Sequence, residues 1–476
     1  VTDTPRTPPP AWLVLDPASG PLESQIHRAI RERILAGRLA AGDRLPSSRA
    51  LARALGVARS TIVLAYDRLR AEGFLDARAG SATRVAALPA PPRHGRPSPP
   101  PAPAPEPPDI VPDALRPGLP DLTSFPHAVW ARCLGARARA GRLVDLGHGG
   151  RAAGAPELRA TILSHIRATR GVVATAGQVV IVPSIRVAVD AIARVALATA
   201  ADPVAWVEEP GYIPIHTILK EAGARLVPLP CDAEGMDVAH APGPSPRLIC
   251  VTPSHQYPTG ADMTLRRRLA ILAHAHASGA VVLEDDYDSE FQYDTRPVAA
   301  LQGIDRTGSV AYLGTFSKIL APGLRVAYAV LPPRLVAPVT DFLSGRGIAV
   351  PIHLQLALAD FIADGHLRAH IRRMNSLYAD RMAGAVAALH RHCGGVLVPG
   401  PGTGGLQLAA RFIDPTLDDR AIARRLWRQG FGVRPLSDYY LGASRPGLLL
   451  GIASATPEAM DRAARGIRAC VEEVLF

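Results

Sequence analysis

Only two of the 53 basic residues in this chain of 476 are lysines, Lys220 and Lys318. Arginine serves wherever a positive charge is enough, so a lysine that persists is a candidate for chemistry that needs an amine, since guanidinium stays protonated and is a poor nucleophile. Lys318 ends Gly314-Thr315-Phe316-Ser317-Lys318 and is followed by Pro322-Gly323-Leu324-Arg325, which gathers hydroxyls, an amine and an anion-binding arginine. Upstream, the apolar run Ala280-Val281-Val282-Leu283 leads into Glu284-Asp285-Asp286-Tyr287-Asp288. In an extended chain Asp285 and Tyr287 project to one side, where a carboxylate and a phenol could hold a heteroaromatic ring at two edges. Glu209-Pro210-Gly211-Tyr212 adds an aromatic suited to stacking on such a ring, or to filling the core. Singly, each acidic residue reads as a solvated turn or an ion-pair partner. Together with Lys318 they meet the needs of pyridoxal 5′-phosphate: an amine for the Schiff base, a carboxylate for the pyridine nitrogen, a phenol for the ring oxygen, and arginine with hydroxyls for the phosphate. No metal is required.

The elements that must position these groups read as α/β. Val179–Val182, Val204–Val207, Leu248–Val251, Val281–Leu283, Val310–Leu313 and Val326–Leu331 are short β-branched runs alternating with helical segments, which predicts a largely parallel sheet buried under helices. Ligands of such sheets collect beyond the C-terminal strand ends, where the groups above fall.

The N-terminal part has a different pattern. Leu22, Ile26, Ile30 and Ile34 mark one helix face ending near Gly37, and Ser47 and Ser48 can cap a second helix with Leu51 and Leu55. Gly56-Val57-Ala58 then leads to a third helix with Ile62, Tyr66 and Leu69 inward, which is helix-turn-helix spacing with a polar first turn for a DNA groove. Gly73-Phe74-Leu75 and Thr83-Arg84-Val85 around Gly80-Ser81 read as a wing. A protein-interaction module is the competing reading, but thirteen Arg against eight Asp plus Glu in residues 1–86 favour an anionic partner.

Composition bounds the rest. With 48% apolar and 20% charged residues the chain is expected to form two or three folded units, and without an apolar run of ~18 residues it is expected to be soluble. Val1–Pro10, with three successive prolines, does not read as a secretory signal. Five scattered cysteines without a C-x-x-C pair argue against a zinc site or a disulfide framework and fit a reducing cytoplasm. Eleven prolines between Leu88 and Asp109 read as an extended spacer, reaching at most roughly 70 Å at ~3.1 Å per residue. The expected organisation is therefore a winged helix-turn-helix unit over 1–86, a linker over 87–109 and an α/β unit over 110–476.

The strings PLESQI, AGDRLPSSRALARALGVARSTIVLAYDRL and EGFLDARAGSAT resemble the GntR family of winged-helix repressors. That resemblance implies Arg49, Arg59, Ser60, Thr61 and Gly80 at double-stranded DNA, with Ser47 and Ser48 near its backbone. Glu23 stands where an aromatic is usual, and Ala82 replaces a wing glycine. Residues 110–476 resemble fold-type I aminotransferases, and the combination resembles the MocR subfamily of regulators through VEEPGY, VTPSHQYPTG, LEDDYDSEFQYD, YLGTFSKILAPGLR and QLALADFIADGHLRAHIRRMNSLY. By resemblance Lys318 is the Schiff-base lysine, Asp285 the partner of the pyridine nitrogen, Tyr287 that of the ring oxygen, Tyr212 the stacking ring, and Arg325 with Thr315 the phosphate contacts, with His255 near the ring. The same resemblance implies a head-to-tail homodimer, paired half-sites on DNA, and regulation by pyridoxal phosphate or an amine or amino-acid effector, with control of vitamin B6 metabolism one known role.

Three departures bear on function. The phosphate loop reads Pro183-Ser184-Ile185-Arg186-Val187, without the usual glycine, leaving Ser184 and Arg186 as contributors. Leu449 falls near the usual arginine for a substrate carboxylate, with Arg434 a substitute from a neighbouring strand, and Gln407 stands where relatives often have histidine. These departures favour a cofactor sensor over the alternative, a working aminotransferase with an appended DNA reader.

Overall fold

The computed structural model describes residues 13–76, 82–87, 114–147, 152–239, 241–293 and 299–475. Gly80 with the wing tip and the proline-rich run 88–109 lie outside them. Contacts divide the chain into two compact units, Val1–Asp109 and Ile110–Phe476.

In the first unit, helices Leu22–Leu35, Ser48–Leu55 and Arg59–Ala71 surround a core of Ile26, Ile30, Ile34, Leu51, Ile62, Tyr66 and Leu69. Leu22 is only half-buried, and His27 joins the buried face instead, its Nε2 2.9 Å from Glu72. Ser47 caps the second helix by accepting the Ala50 N–H at 3.2 Å, and Gly56 ends it in the left-handed conformation that a side chain disfavours. The Tyr66 hydroxyl donates to the Pro46 carbonyl at 2.9 Å, tying the third helix to the turn. The wing pairs Leu75–Asp76 with Arg84–Val85, and residue 44 adds a bridge to Arg84. Glu23 sits 3.6 Å from the Arg68 guanidinium, an ion pair between the first and third helices.

The second unit is built on an eight-stranded sheet. Its order is Val179–Val182, Ala327–Val330, Val310–Thr315, Val281–Asp286, Leu248–Val251, Val204–Glu209, Arg225–Asp232 and Gly235–Met236. The four inner pairings from Val310–Thr315 to Arg225–Asp232 are parallel. The first four of these strands are almost wholly buried, which is why they are apolar on both sides, whereas Arg225–Asp232 alternates buried with exposed residues. Ala327–Val330 runs antiparallel to both neighbours. Residues 316–326 are too few for the crossover that a parallel return needs, about a dozen or more. The expected parallel sheet is thus mixed at this edge. A second sheet, Leu397–Pro399, Gln407–Phe412, Gly447–Gly451 and Arg434–Pro435 in that order, packs against helices Asp419–Arg428 and Pro457–Leu475 through Leu408, Leu448, Leu450, Leu426 and Ile467. Sequence reading did not delineate it. Among the described residues no helix is long and apolar enough to cross a membrane.

Candidate functional site

Strand Val281–Asp286 distributes its acidic end by the period of two. Glu284 faces the scaffold and accepts the Leu301 and Gln302 N–H groups at 2.6 and 2.8 Å. Asp286 faces the same way, paired with buried Arg170 at 2.9 Å and accepting the Tyr312 hydroxyl at 2.5 Å. Asp285 and Tyr287 take the other side. The Tyr287 hydroxyl accepts from Gln407 Nε2 at 3.1 Å and lies 3.1 Å from His255 Nδ1, which is also 3.1 Å from Asp288 Oδ2. Burial opposes a charge on His255, but the Asp288 carboxylate prevails and raises its pKa. Asp285 has no such partner. Its Oδ1 is buried without a hydrogen bond, and burial, reinforced by Asp286, Asp288 and Glu208, pushes its pKa up to about 8.

Lys318 is on the single-turn helix Phe316–Ile319, directly after strand Val310–Thr315. The Thr315 hydroxyl caps that turn, accepting the Ser317 N–H at 3.1 Å. The amine donates to the Gly118 carbonyl at 2.6 Å. Burial pushes its pKa down against the opposing pull of Asp288 and Asp285. A Cβ at Gly118 would stand 2.8 Å from Nζ, so glycine there leaves the amine its space. Tyr212 approaches from the end of strand Val204–Glu209, its ring 5.2 Å from Tyr257, which in turn meets Tyr287 at 5.7 Å and Tyr439 at 5.4 Å.

The structure thus assembles Lys318, Asp285, Tyr287, His255 and Tyr212 at the strand ends. The residues expected at the phosphate are arranged otherwise. Ser184 is the N-cap of helix Ile185–Leu197, where its hydroxyl accepts the Val187 N–H at 3.3 Å. The N–H groups of Ile185 and Arg186, in the first turn, have no intrahelical carbonyl to meet and are available to an anion. Arg186 donates to the Tyr212 hydroxyl at 2.8 Å. Arg325 stands exposed after the turn Pro322–Leu324 with φ 53°, a left-handed conformation costly for a residue with a Cβ.

In the first unit, Ser47, Arg49, Arg59 and Ser60 are exposed and Ser48 and Thr61 half-buried, around the joint between the second and third helices. Arg59 Nε reaches Ser48 Oγ at 3.5 Å. Gly80 is outside the described residues.

The family model for aminotransferases of class I and II matches residues 132–467, and that for the gntR family of bacterial regulatory proteins matches residues 22–85. A protein of Rhizobium meliloti named "Probable rhizopine catabolism regulatory protein MocR" is 40% identical over 472 residues, covering 96% of this chain and 95% of its own. This chain belongs to the MocR subfamily of GntR-type regulators. Another relative of these regulators, the pyridoxine biosynthesis transcriptional regulator PdxR of Corynebacterium glutamicum, is 32% identical over 370 residues, 77% of this chain and 78% of its own. The regulator TauR of Rhodobacter capsulatus is 31% identical over 490 residues, 97% and 99% of the two chains. Among solved structures, kynurenine aminotransferase of Pyrococcus horikoshii superposes with a TM-score of 0.70 at 23% identity, covering 77% of this chain and 92% of that one. That likeness establishes the fold of the second unit, and the gntR match makes the first a DNA-binding domain.

Three parts of this MocR-type site escaped the sequence reading. Tyr257 is the hub of the aromatic cluster, its hydroxyl 3.2 Å from that of Tyr439; it lies within the quoted string VTPSHQYPTG, but nothing local shows its partners. Asp288 and Gly118 were not singled out either. Arg434 and Leu449 prove to be direct partners across adjacent strands, so their side chains share a face. Leu449 packs there with Tyr257 and Tyr439.

Proposed function

We propose that this regulator binds pyridoxal 5′-phosphate at Lys318 and that occupancy of the site changes its grip on DNA. The single observation behind the reading is the pairing of a buried, unpartnered Asp285 carboxyl with the amine of half-buried Lys318, whose charge is disfavoured. A protonated pyridine nitrogen is a cationic donor that such a carboxyl can accept from, and it favours the ionised form. Lys318 would hold the cofactor covalently, Asp285 its ring nitrogen, Tyr287 with Gln407 and His255 its ring oxygen, and Tyr212 its face. The phosphate would be met by the helix N-terminus at Ile185 and Arg186, with Arg325 and the capping Ser184 and Thr315 nearby. When bound, the cofactor supplies an electron-withdrawing ring and an aldehyde open to amines. An amine effector would compete for that aldehyde, with Arg434 placed to meet an anionic group on it. We further assign a homodimer on paired half-sites, which fits an aminotransferase-like unit joined to a helix-turn-helix reader.

A gel-shift titration on the promoter region of its own gene, with and without pyridoxal phosphate, tests the reading. Changed affinity or footprint is the expected result; identical behaviour removes sensing from the model. The reader makes its own prediction. Arg59→Ala is expected to weaken operator binding by about 1–3 kcal/mol and relax base preference, as loss of a base contact does. Arg49→Ala is expected to weaken all sequences alike and flatten the plot of log affinity against log salt by about one unit.

Arg186→Ala removes a side-chain charge from the phosphate end and a hydrogen bond from Tyr212. Affinity for pyridoxal phosphate is expected to fall about tenfold, while pyridoxal, which has no phosphate, should lose much less. Equilibrium dialysis with the two vitamers checks this.

A further inference from the structure

One buried titratable side chain has no part in the arrangement above. His216, on helix Ile213–Glu221, is 3% exposed, and its Nδ1 is buried without a hydrogen-bond partner. Asp285 Oδ1 is in the same condition. Both residues line one narrow hollow below the C-terminal ends of strands Val204–Glu209, Leu248–Val251 and Val281–Asp286. Tyr212 and Gly211 also border it, as do Glu208, Cys250 and Thr252. A side chain at residue 211 would stand 2.9 Å from His216 Nε2, so the imidazole keeps its place only beside glycine. The hollow has room for about one water molecule. A confined space with unsatisfied polar atoms in its wall is where proteins hold structural water.

We propose that an internal water joins His216 Nδ1–H to Asp285 Oδ1, making His216 the positioning residue that keeps the Asp285 carboxyl ionised for its ring partner. The assignment rests on the pyridoxal-phosphate reading for its purpose, but the hydrogen-bonded link itself does not need the cofactor.

The charges around both groups give the link its direction. Burial, followed by the positive charge of Lys220, lowers the His216 pKa to about 4, so through the neutral range it is an uncharged donor. Around Asp285, burial and the carboxylates of Asp286, Asp288 and Glu208 favour the protonated acid, and Lys318 opposes them. Glu208 is itself raised to about 7 by burial, although Thr252 and Gln256 donate to it, and the buried Cys250 thiol stays neutral. A donor delivered to Oδ1 stabilises the carboxylate and so lowers the pH at which Asp285 ionises. Removing it moves that midpoint upward.

The test uses the full-length protein, first without cofactor. Infrared titration follows the protonated-carboxyl band, with Asp285→Asn identifying the component that belongs to Asp285. In His216→Phe the midpoint is expected to rise by about one pH unit, a tenfold change in the protonation equilibrium. His216→Gln, which keeps an N–H donor, is expected to recover most of that shift. Equal shifts in both variants, or none in either, overturn the proposal; circular dichroism and operator binding report whether each variant is folded. With pyridoxal phosphate added, the pH midpoint of the visible band should move in the same direction in His216→Phe. A wild-type protein that stays colourless with the vitamer refutes the cofactor reading, while the infrared titration still decides the link.

Discussion

Lys318→Ala is expected to abolish the visible absorption that pyridoxal phosphate gives with the wild-type protein, and to leave no adduct after borohydride reduction. The chain makes this unusually clean to read. Its one other lysine, Lys220, is exposed near the end of helix Ile213–Glu221, so peptide mapping of the reduced protein has only two side-chain amines to separate. The label should sit on Lys318. Lys318→Arg should fail as completely as Lys318→Ala, because it restores charge near Asp288 and Asp285 without restoring a nucleophile. The pH dependence has a defined sign. Burial lowers the Lys318 pKa, so the neutral amine becomes abundant at a lower pH than for a free lysine, and capture should grow as pH rises through that lowered value. Stopped-flow absorbance over pH checks the slope. Label on Lys220 alone, or a visible band that survives in Lys318→Ala, would remove the chemical centre of the model.

How far the site was legible follows from the range of the interactions that build it. The inner strands declare themselves through β-branched runs, and Leu248–Val251 and Val179–Val182 have the bounds that the sequence suggests. Strand Val281–Asp286 continues through its acidic residues because Glu284 and Asp286 are satisfied by Leu301, Gln302 and Arg170, partners that no local pattern announces. The hydroxyls of Ser184 and Thr315 show a different kind of gap. Each immediately precedes a helix, a position where such hydroxyls cap N–H groups, and the structure uses both in that way. The second sheet was harder to see because its strands are short and its central pairing, Gln407–Phe412 with Gly447–Gly451, joins segments far apart in sequence; that Arg434 lies directly opposite Leu449 is a fact of register, not of periodicity. The Lys318 contact to Gly118 spans 200 residues and is equally silent in sequence.

That contact leads to the other large expected effect. The segment from Ala114 to Asp121 continues N-terminally into the proline-rich run, and through it, along the sequence, to the DNA reader. It is held at successive points. The Ala114 and Leu115 carbonyls accept from the N–H groups of Gly432 and Gly451 at 2.7 and 2.8 Å, the Gly118 carbonyl accepts from Lys318, and the Asp121 N–H donates to the Tyr378 hydroxyl at 2.9 Å while its carboxylate pairs with Arg381 at 3.0 Å. Leu115 is fully buried with φ 61°, a conformation that persists only where its surroundings enforce it. Lys318 is therefore at once the cofactor amine of the proposed function and a pin of the strap nearest the linker. An amine engaged elsewhere cannot make that ammonium-type bond to Gly118, and a hydrogen bond to a charged group is worth about 1.5–3 kcal/mol. In cofactor-free protein, Lys318→Met is expected to raise hydrogen exchange across residues 116–120 by about tenfold or more. Gly118→Ala is expected to do the same by displacing the amine, since its Cβ would lie 2.8 Å from Nζ on a backbone with φ of 73°. The two variants then separate binding from response. Lys318→Met should neither bind the vitamer nor change its operator affinity on addition. Gly118→Ala should still colour with pyridoxal phosphate, yet already have, without it, the operator affinity that the wild type reaches only with it. If exchange in the strap stays at the wild-type level in both, or if Gly118→Ala responds to the vitamer as fully as the wild type, the signal leaves the site by another route.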